Sequence, residues 1–414
     1  MLKRIDVRYL RVGMFVQEFC GSWMEHPFWR SKFVLKNEKD LQRIVASSIR
    51  EVWIDSSKGL DVAEEANAET YTEEQSEQFI DQTLAEAAAP QKADLERRSF
   101  KDEVDQAYQI CQRAHAAVRE MFQDVRMGKA VDADQMQPLV EEISHSVLRN
   151  PGAIISLARL KNQNEYTYMH SVAVCALMSA LARQMELDEP MIYQAGMAGL
   201  LHDLGKAMIP NEILDKPGKL TDAEFEIIKS HPAEGHRLLL EGRAVGAIPL
   251  DVCLHHHEKM DGSGYPHRLT GEQISVLARM GAICDVYDAI TSDRPYKRGW
   301  NPAEALRKMA EWSKGHFDER LFQLFVKTIG IYPTGSLVRL QSQRLAVVME
   351  QTDQQLLKPK VKVFFSVRQH KNISPLELNL SDADCDDKII GRENPDDWRF
   401  GRLEHLWAGR EIMI

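Results

Sequence analysis

A helical repeat of apolar residues runs through more than half of this chain of 414 residues. From about residue 98 to residue 330, apolar residues recur three and four positions apart, the pattern of helices that bury one face. The first such helix has a continuous apolar stripe made of Phe100, Val104, Ala107, Ile110, Cys111, Ala114, Val118 and Phe122. Proline just inside a helix start marks two further helices, at Glu189-Pro190 and Asn301-Pro302, while Asn150-Pro151-Gly152 is predicted to break the chain. The fold is therefore expected to be mainly α.

Short β-like runs flank the helical region on both sides. Residues 1–60 combine one predicted helix, at 41–47, with three β runs at 14–19, 33–35 and 51–55. Beyond residue 331, further β runs lie at 336–340, 345–348 and 361–367. The sequence thus predicts three folded parts, namely a small α+β module over 1–60, a helical domain over 98–330 and a β-rich C-terminal appendage over 331–414.

Residues 61–97 are predicted to be an acidic, flexible linker. Between Asp61 and Pro90 there are nine acidic residues and no Lys or Arg, so this segment has little to bury. The whole chain has 52 Lys and Arg against 62 Asp and Glu, a formal charge of -10, which disfavours binding to a long nucleic acid. Because the linker holds nine of the negative charges, the rest of the chain is close to neutral.

The sequence also bears on location and redox state. No window approaches about 18 uninterrupted apolar residues, and Arg4, Asp6 and Arg8 interrupt the start before any signal-like run develops. The six cysteines include no Cys-x-x-Cys pair, which is typical of reduced, buried thiols in a chain of this length. We therefore expect a cytoplasmic protein without a membrane span, a disulfide framework or a cysteine zinc site.

Eight of the fourteen histidines fall between His170 and His267. Taken alone, His170 on its apolar helix is more often a packed residue than a ligand, and His202-Asp203 also fits an exposed helix end. The run from His255 to Glu258 is different, because a solvated loop rarely needs three consecutive imidazoles. It leads into the glycines of the segment from Asp261 to Pro266, which allow the backbone to approach a ligand closely. The residues alone therefore indicate a functional site around this loop.

Four motifs in this region resemble those of the HD-GYP phosphodiesterases, the branch of the His-Asp metal hydrolases that cleaves the bacterial second messenger cyclic di-GMP. They are HDLGK (His202 to Lys206), KSHPAEGH (Lys229 to His236), HHEKMDGSGYP (His256 to Pro266) and ICDVYDAITSDRPYK (Ile283 to Lys297). The resemblance covers about residues 140–330 and implies a helical HD-type metallohydrolase domain. Near the N-terminus, LRVGMFVQ and GSWMEHPF are similar to a small domain of unknown function often found ahead of HD-GYP domains.

The resemblance also implies a centre of two metals, with Asp203 bridging them. One metal would be completed by His170, His202 and Asp285, and the other by His231, His256 and His257. Imidazoles and carboxylates suit divalent transition metals, with Mn or Fe expected first and Co, Ni or Mg as alternatives. Some relatives hold a third metal through a glutamate four residues before the first histidine. Tyr166 occupies that position here and Glu165 lies about 100° around the helix, so two metals are expected.

The implied reaction is hydrolysis of cyclic di-GMP to linear pGpG, with a further step to GMP left open. A hydroxide bridging two metals would attack the phosphodiester in line. Asp203 and Lys206 would be the catalytic residues, and Lys206 would also bind substrate by placing a positive charge beside the phosphate. The remaining substrate-binding residues would be Gly264, Tyr265, Arg294 and Lys297. Protein partners are expected at the GYP loop or at the N-terminal module.

Two other functions stay open at this point. A receptor that binds cyclic di-GMP without cleaving it would be favoured by the loss of a ligand residue, and all seven are present. A hydrolase could also keep the metal centre and act on another phosphate ester, such as cyclic GMP or a nucleoside monophosphate. Product analysis distinguishes these alternatives.

Overall fold

A computed structural model describes residues 2–20, 32–47, 49–62, 71–72, 97–160, 166–216, 218, 220–293, 299–352 and 355–409. The chain divides into two compact units. The first contains residues 1–85 and 309–316, and the second contains residues 86–308 and 317–414. Most of the predicted linker, at 63–70 and 73–96, lies outside the described residues, so its flexibility stays a prediction.

A five-stranded antiparallel sheet forms the centre of the first unit. Its strands are β1 (Leu2–Asp6), β2 (Phe15–Cys20), β3 (Phe33–Val34), β4 (Glu51–Asp55) and β5 (Tyr71–Thr72), in the order β3-β2-β4-β1-β5. Helix α1 (Glu38–Val45) begins after Asn37, whose side chain accepts a hydrogen bond from the amide of Asp40. It contributes Ile44 to the apolar core that the sheet builds. The predicted α+β module is confirmed, although β5 lies in the segment that was expected to be linker.

Helices make up most of the second unit. They are α2 (Phe100–Arg126), α3 (Ala133–Arg149), α4 (Pro151–Arg159), α5 (Tyr166–Gln184), α6 (Glu189–Leu201), α7 (Asn211–Leu214), α8 (Asp222–Ile228), α9 (His231–Leu240), α10 (Ala247–His255), α11 (Val276–Thr291), α12 (Pro302–His316) and α13 (Glu319–Ile329). Residues 309–316 of α12 belong to the first unit. The predicted helix starts at Glu189-Pro190 and Asn301-Pro302 are confirmed, and the predicted break at Asn150-Pro151-Gly152 lies where α3 ends and α4 begins. None of the described helices is long and apolar enough to cross a membrane.

Helix α5 lies inside the helical core and carries the first candidate ligand. Every residue from Met169 to Ala182 is buried. The helix packs against α2, α4, α6 and α11. His170 lies within this enclosed stretch, so its polar ring atoms need partners from neighbouring helices rather than from bulk water.

A second antiparallel sheet follows the last long helix and belongs to the same unit as the helices. Its strands are β6 (Leu337–Leu340), β7 (Arg344–Glu350), β8 (Lys360–Ser366), β9 (Lys371–Asn379) and β10 (Ile389–Arg392), in the order β10-β6-β7-β8-β9. A short helix, α14 (Glu404–Ala408), comes after the sheet. The predicted β-rich appendage is confirmed, although β9 and β10 were not expected from the sequence. Most residues of β9 are exposed, so the strand has no continuous apolar face to reveal it.

Candidate metal centre

The structure brings all seven candidate ligand residues into two adjoining groups. The first group contains Asp203, His231, His256 and His257, and the second contains His170, His202 and Asp285. Within each group, one potential ligand atom from every residue lies within 4.8 Å of those from the others. Five different segments supply these residues, at α5, the end of α6, the start of α9, the end of α10 and α11. The sequence places them up to 115 positions apart, so only the fold assembles them.

A tight turn after α6 positions the central carboxylate. His202 ends α6, Asp203 follows it, and a 3-10 turn runs over Leu204–Met208. This turn crosses the start of α9 at very short range, because a Cβ atom on Gly205 would lie 1.9 Å from the carbonyl oxygen of His231. A glycine at this position therefore lets the backbone of His231 approach the turn that carries Asp203.

Three histidines each form a hydrogen bond from Nδ1 to a backbone carbonyl oxygen. The distances are 2.8 Å from His202 to the oxygen of Gly199, 2.7 Å from His231 to that of Ile228, and 3.0 Å from His256 to that of Cys253. A carbonyl oxygen only accepts hydrogen bonds, so each Nδ1 must carry the proton and donate. Each Nε2 is then a bare lone pair that faces the interior of the site. This is the tautomer in which histidine binds a metal.

Asp203 lies between these lone pairs. Its Oδ1 is 3.2 Å from Nε2 of His231 and 3.8 Å from Nε2 of His256. Its Oδ2 is 3.3 Å from Nε2 of both His170 and His202. The two oxygens of one carboxylate therefore face the two groups of ligand atoms, the arrangement that a bridging ligand requires.

Two buried atoms at the centre lack a hydrogen-bond partner among the described residues, namely Nε2 of His202 and Oδ1 of Asp203. In addition, Nε2 of His231 and Nε2 of His256 are 3.3 Å apart, although each histidine already uses its proton on a carbonyl. Two lone pairs this close repel each other unless a cation binds both. The buried donor atoms thus fit a metal centre, because a bound cation satisfies the orphaned atoms and removes the repulsion.

The protonation states also suit a metal. Burial, together with the nearby imidazoles of His202 and His231, lowers the pKa of His256 to about 3. Burial and the adjacent His256 hold the pKa of His257 well below its usual range. Both imidazoles are therefore neutral near pH 7, the form that coordinates metals.

The two carboxylates stay ionised despite their burial. Burial alone would raise the pKa of Asp203, but the positive charge of Lys206 and a hydrogen bond from His170 hold this pKa well below its usual range. The pKa of Asp285 is held low in the same way, chiefly by His170. Burial lowers the pKa of His170, but its carboxylate partners outweigh burial and raise this pKa to about 9, so a metal that binds Nε2 of His170 must displace a proton. Ionised oxygens in a buried site favour a divalent cation.

Asp288 is a member of the site that was not expected from the sequence. Its Oδ2 lies 2.6 Å from Nδ1 of His170, and its Oδ1 accepts a hydrogen bond of 3.2 Å from the hydroxyl of Ser292. Asp288 is 2% exposed and lies one helical turn after Asp285, on the same face of α11. His170 thus takes a carboxylate at Nδ1, whereas His202, His231 and His256 take carbonyls. The spacing of the two aspartates on an apolar helix was the signal that could have revealed it.

This contact leads to a prediction for Asp288→Asn. An amide has no negative charge and its oxygen is a weaker acceptor, so it orients and polarises the imidazole of His170 less than the carboxylate does. We expect the metal affinity of the centre to fall roughly 10- to 100-fold. Calorimetric metal titration measures the change, with Asp134→Asn, an exposed aspartate on α3, as the control. Equal affinities for Asp288→Asn and the unsubstituted protein would contradict the prediction.

Only some of the residues expected to bind substrate lie within the described part of the chain. Nζ of Lys206 contacts a carboxylate oxygen of Asp203, and the lysine side chain is 18% exposed, so it lies at the edge of the centre. Gly264 and Tyr265 belong to the GYP loop. Arg294 and Lys297 lie outside the described residues, and their role stays a prediction.

The GYP loop folds back onto one of the candidate ligands. The ring of Tyr265 stacks on that of His257, with centroids 4.7 Å apart and planes 25° apart. A Cβ atom on Gly264 would lie 2.5 Å from the carbonyl oxygen of His257 and from Cα of Glu258. Gly264 thus permits a close approach of two backbone segments, and Tyr265 supports the imidazole of His257. These contacts show how both residues shape the loop, while direct contact with substrate stays a prediction.

An aromatic ring, that of Tyr166, occupies the position four residues before His170 where a glutamate would be needed for a third metal. Tyr166 stacks on His170 with ring centroids 5.6 Å apart and an angle of 11° between the planes. Glu165, the neighbouring acid, lies outside the described residues. A phenol is a poor ligand for a divalent ion in its protonated form, so the prediction of two metals rather than three is retained.

Comparison with known proteins places this site in a family. Residues 152–321 match the family described as HD domain, and residues 2–136 match one described as domain of unknown function DUF3391. The chain is 55% identical over 410 residues to the cyclic di-GMP phosphodiesterase PA4108 of Pseudomonas aeruginosa, covering 99% of this chain and 96% of the relative. It is 40% identical over 173 residues to the cyclic di-GMP phosphodiesterase response regulator RpfG of Xanthomonas campestris, covering 40% of this chain and 45% of the relative. It is also 36% identical over 166 residues to the 3'3'-cGAMP-specific phosphodiesterase 1 of Vibrio cholerae, covering 40% of this chain and 38% of the relative.

The helical core and its His-Asp cluster define an HD-domain protein, a class whose activity depends on metal. The similarity to PA4108 extends over nearly the full length of both proteins. The chain belongs to the HD-GYP family, and it carries the N-terminal domain of unknown function that the sequence predicted.

Proposed function

We propose that this chain is a phosphodiesterase that hydrolyses cyclic di-GMP to linear pGpG, with hydrolysis of pGpG to GMP as an open second step. The observation that carries the proposal is the complete set of seven ligand residues, gathered around the two oxygens of Asp203. The similarity over nearly the full length to a relative named for this activity supports the choice of substrate.

The centre would hold two divalent metals, with Mn or Fe as the first candidates and Co, Ni or Mg as alternatives. One metal would be held by His170, His202 and Asp285, the other by His231, His256 and His257, and Asp203 would serve both. A ligand set of neutral imidazoles and carboxylates without thiolate suits these ions better than a structural zinc site. When bound, two such ions supply positive charge for the phosphoryl oxygens and acidify water for in-line attack.

The protein's own residues prepare the substrate for this reaction. Buried backbone carbonyls fix the orientation of three imidazoles, so little reorganisation is needed when charge develops on the phosphate. Lys206 lies beside Asp203 and is partly exposed, which suits a cation that contacts both the centre and a substrate phosphate. Arg294 and Lys297 would complete a cationic cleft for a small dianion.

The test of function is product analysis with metal-loaded, full-length protein. Cyclic di-GMP, 3'3'-cGAMP, cyclic GMP and GMP are supplied separately, and products are resolved by chromatography. We expect pGpG to appear first from cyclic di-GMP, and we expect two metal ions per chain by elemental analysis. Binding of cyclic di-GMP without turnover by protein that contains Mn or Fe would reject the enzyme in favour of a receptor. Faster cleavage of another substrate would reject the assignment to cyclic di-GMP.

Lys206→Met separates substrate binding from metal binding. Methionine keeps the apolar stem of lysine and removes the positive charge beside the phosphate. We expect kcat/KM for cyclic di-GMP to fall about 100-fold or more, while two metals per chain are retained. The matched control is Lys371→Met, an exposed lysine on β9. Loss of metal in Lys206→Met would show that the lysine supports the centre rather than the substrate.

Two further expectations belong to the same proposal. Protein partners in cyclic di-GMP signalling would contact the GYP loop or the N-terminal module. The site of action would be the cytoplasm, where this second messenger is expected to act. To test the first expectation, the proteins that co-purify with the wild-type chain are compared with those that co-purify with a variant lacking residues Asp261 to Ser263.

A further inference from the structure

A basic cavity of about 400 Å³ lies in the second unit, apart from the metal centre. Its walls come from the segment before α2, the start of α4, the middle of α11, the end of α13 and strands β7 and β8. A volume of this size falls within the range of small-molecule sites, about 300–1,000 Å³. None of the seven candidate metal ligands lines it. The cavity is therefore a separate concave site in the same folded unit.

The described lining residues are strongly cationic. They include five basic side chains, from Arg97, Arg98, Arg159, Lys327 and Lys360, and a single carboxylate, from Glu350. A cavity walled by one sign of charge concentrates the field and attracts a ligand of the opposite sign.

The carboxylate of Glu350 is already satisfied by other groups. Its Oε1 accepts hydrogen bonds from the amide of Phe100 at 2.7 Å and from Nδ2 of Asn150 at 3.1 Å. Its Oε2 pairs with Lys360 at 2.9 Å. Glu350 therefore neutralises Lys360 and caps the start of α2, and it does not neutralise the other cations.

Three of the cations have no acidic partner within the part of the chain that the structure describes. Arg98, Arg159 and Lys327 form no ion pair with any described residue, and Arg159 donates only to the carbonyl of Thr334 at 3.3 Å. The start of α4, at Pro151 and Gly152, also lines the cavity and adds the positive end of a helix dipole. Uncompensated positive charge converging on a cavity is the environment that a phosphate group requires.

The rest of the wall suits an organic group attached to such a phosphate. Ile155, Ile329 and Leu356 provide apolar surface. Tyr287 also lines the cavity and is 3% exposed, so its aromatic ring adds a flat wall on which a planar group can pack.

We propose that the basic cavity binds an organic phosphate of nucleotide size, with its phosphate at Arg98, Arg159 and Lys327 and its planar or apolar part near Tyr287. Tyr287 lies on α11 between Asp285 and Asp288, but about 100° or more around the helix from each. A ligand in the cavity thus contacts the opposite face of the helix that presents both aspartates to the metal centre. The site is independent of the proposed catalytic function.

The test uses GMP as the probe and calorimetry on full-length, metal-loaded protein. The cavity variant is Arg98→Gln with Lys327→Gln, two positions that are at least partly exposed and therefore tolerate substitution. The control variant, Arg368→Gln with Lys371→Gln, removes the same charge from exposed positions outside the cavity. We expect the cavity variant to raise the Kd of one GMP site at least about tenfold, and the control to leave it unchanged. Circular dichroism verifies that both variants are folded.

Two further probes distinguish the contribution of the phosphate to binding from that of the base. Inorganic phosphate should compete with GMP at this site, and guanosine, which has no phosphate, should bind at least about tenfold more weakly than GMP. The proposal is overturned if GMP does not bind the unsubstituted protein, or if both double variants bind it equally well. Equal affinity for guanosine and GMP would also overturn it, because the cations would then play no part.

Discussion

Asp203→Asn is expected to abolish the metal centre and to lower kcat/KM for cyclic di-GMP by at least about 1,000-fold. The carboxylate oxygens of Asp203 face opposite groups, with Oδ1 at 3.2 Å from His231 and Oδ2 at 3.3 Å from both His170 and His202. An amide keeps one acceptor oxygen and presents an NH2 group in place of the other. One of the two proposed metals would therefore lose its shared ligand, and the other would lose the negative charge that balances it.

The experiment measures metal content and turnover on the same preparations. Elemental analysis should find fewer than one metal ion per chain in Asp203→Asn, and product formation should be near the background rate. Asp384→Asn, an exposed aspartate outside the site, should keep both properties. A variant that retains two metals and near-normal turnover would show that Asp203 is not the shared ligand, and the assignment of the centre would then be wrong.

The sequence predicts the architecture well because the helices of this protein follow simple patterning. Helix α2 has a clear apolar face, and proline and capping residues define where α4 and α6 begin. By contrast, β9 is mostly exposed and β10 has a partly exposed surface, so neither has the apolar alternation that identifies a strand. Strands at a sheet edge are stabilised by backbone pairing, which any side chain permits.

The spacing of the ligand residues along the sequence does not by itself predict the metal centre. His170 lies in a helix that is buried on every side, so its position carries no amphipathic signal that separates a ligand from a packed residue. Family motifs supplied the set of seven residues, and the structure places them together. Asp288 lies inside one of those motifs, but the sequence does not single it out, because its role depends on the distance to His170 across two helices. Contacts between distant helices are a property of the packing rather than of the local sequence.

Gly205→Ala is expected to disrupt the centre without removing any ligand. A Cβ atom at this position would lie 1.9 Å from the carbonyl oxygen of His231 and 2.5 Å from the amide nitrogen of Gly235. Both contacts are with backbone atoms, which cannot rotate away, so the 3-10 turn and α9 must separate. Such a shift moves His231 away from Asp203, and overpacking of this kind destabilises a fold by roughly 1–3 kcal/mol or more. We expect metal affinity and kcat/KM to fall at least about 100-fold.

The comparison variant is Gly391→Ala, because a Cβ atom at Gly391 meets no atom within 4 Å. Thermal unfolding, metal content and turnover are measured for both variants with and without added Mn. Since a bound ligand stabilises the folded state by mass action, excess Mn should recover part of the stability of Gly205→Ala. A folded Gly205→Ala protein with normal metal content and turnover would show that the turn and α9 adjust independently of the centre. Loss of metal and activity in the folded variant, with Gly391→Ala unaffected, would instead establish that the close crossing of these two backbones holds His231 and Asp203 in place.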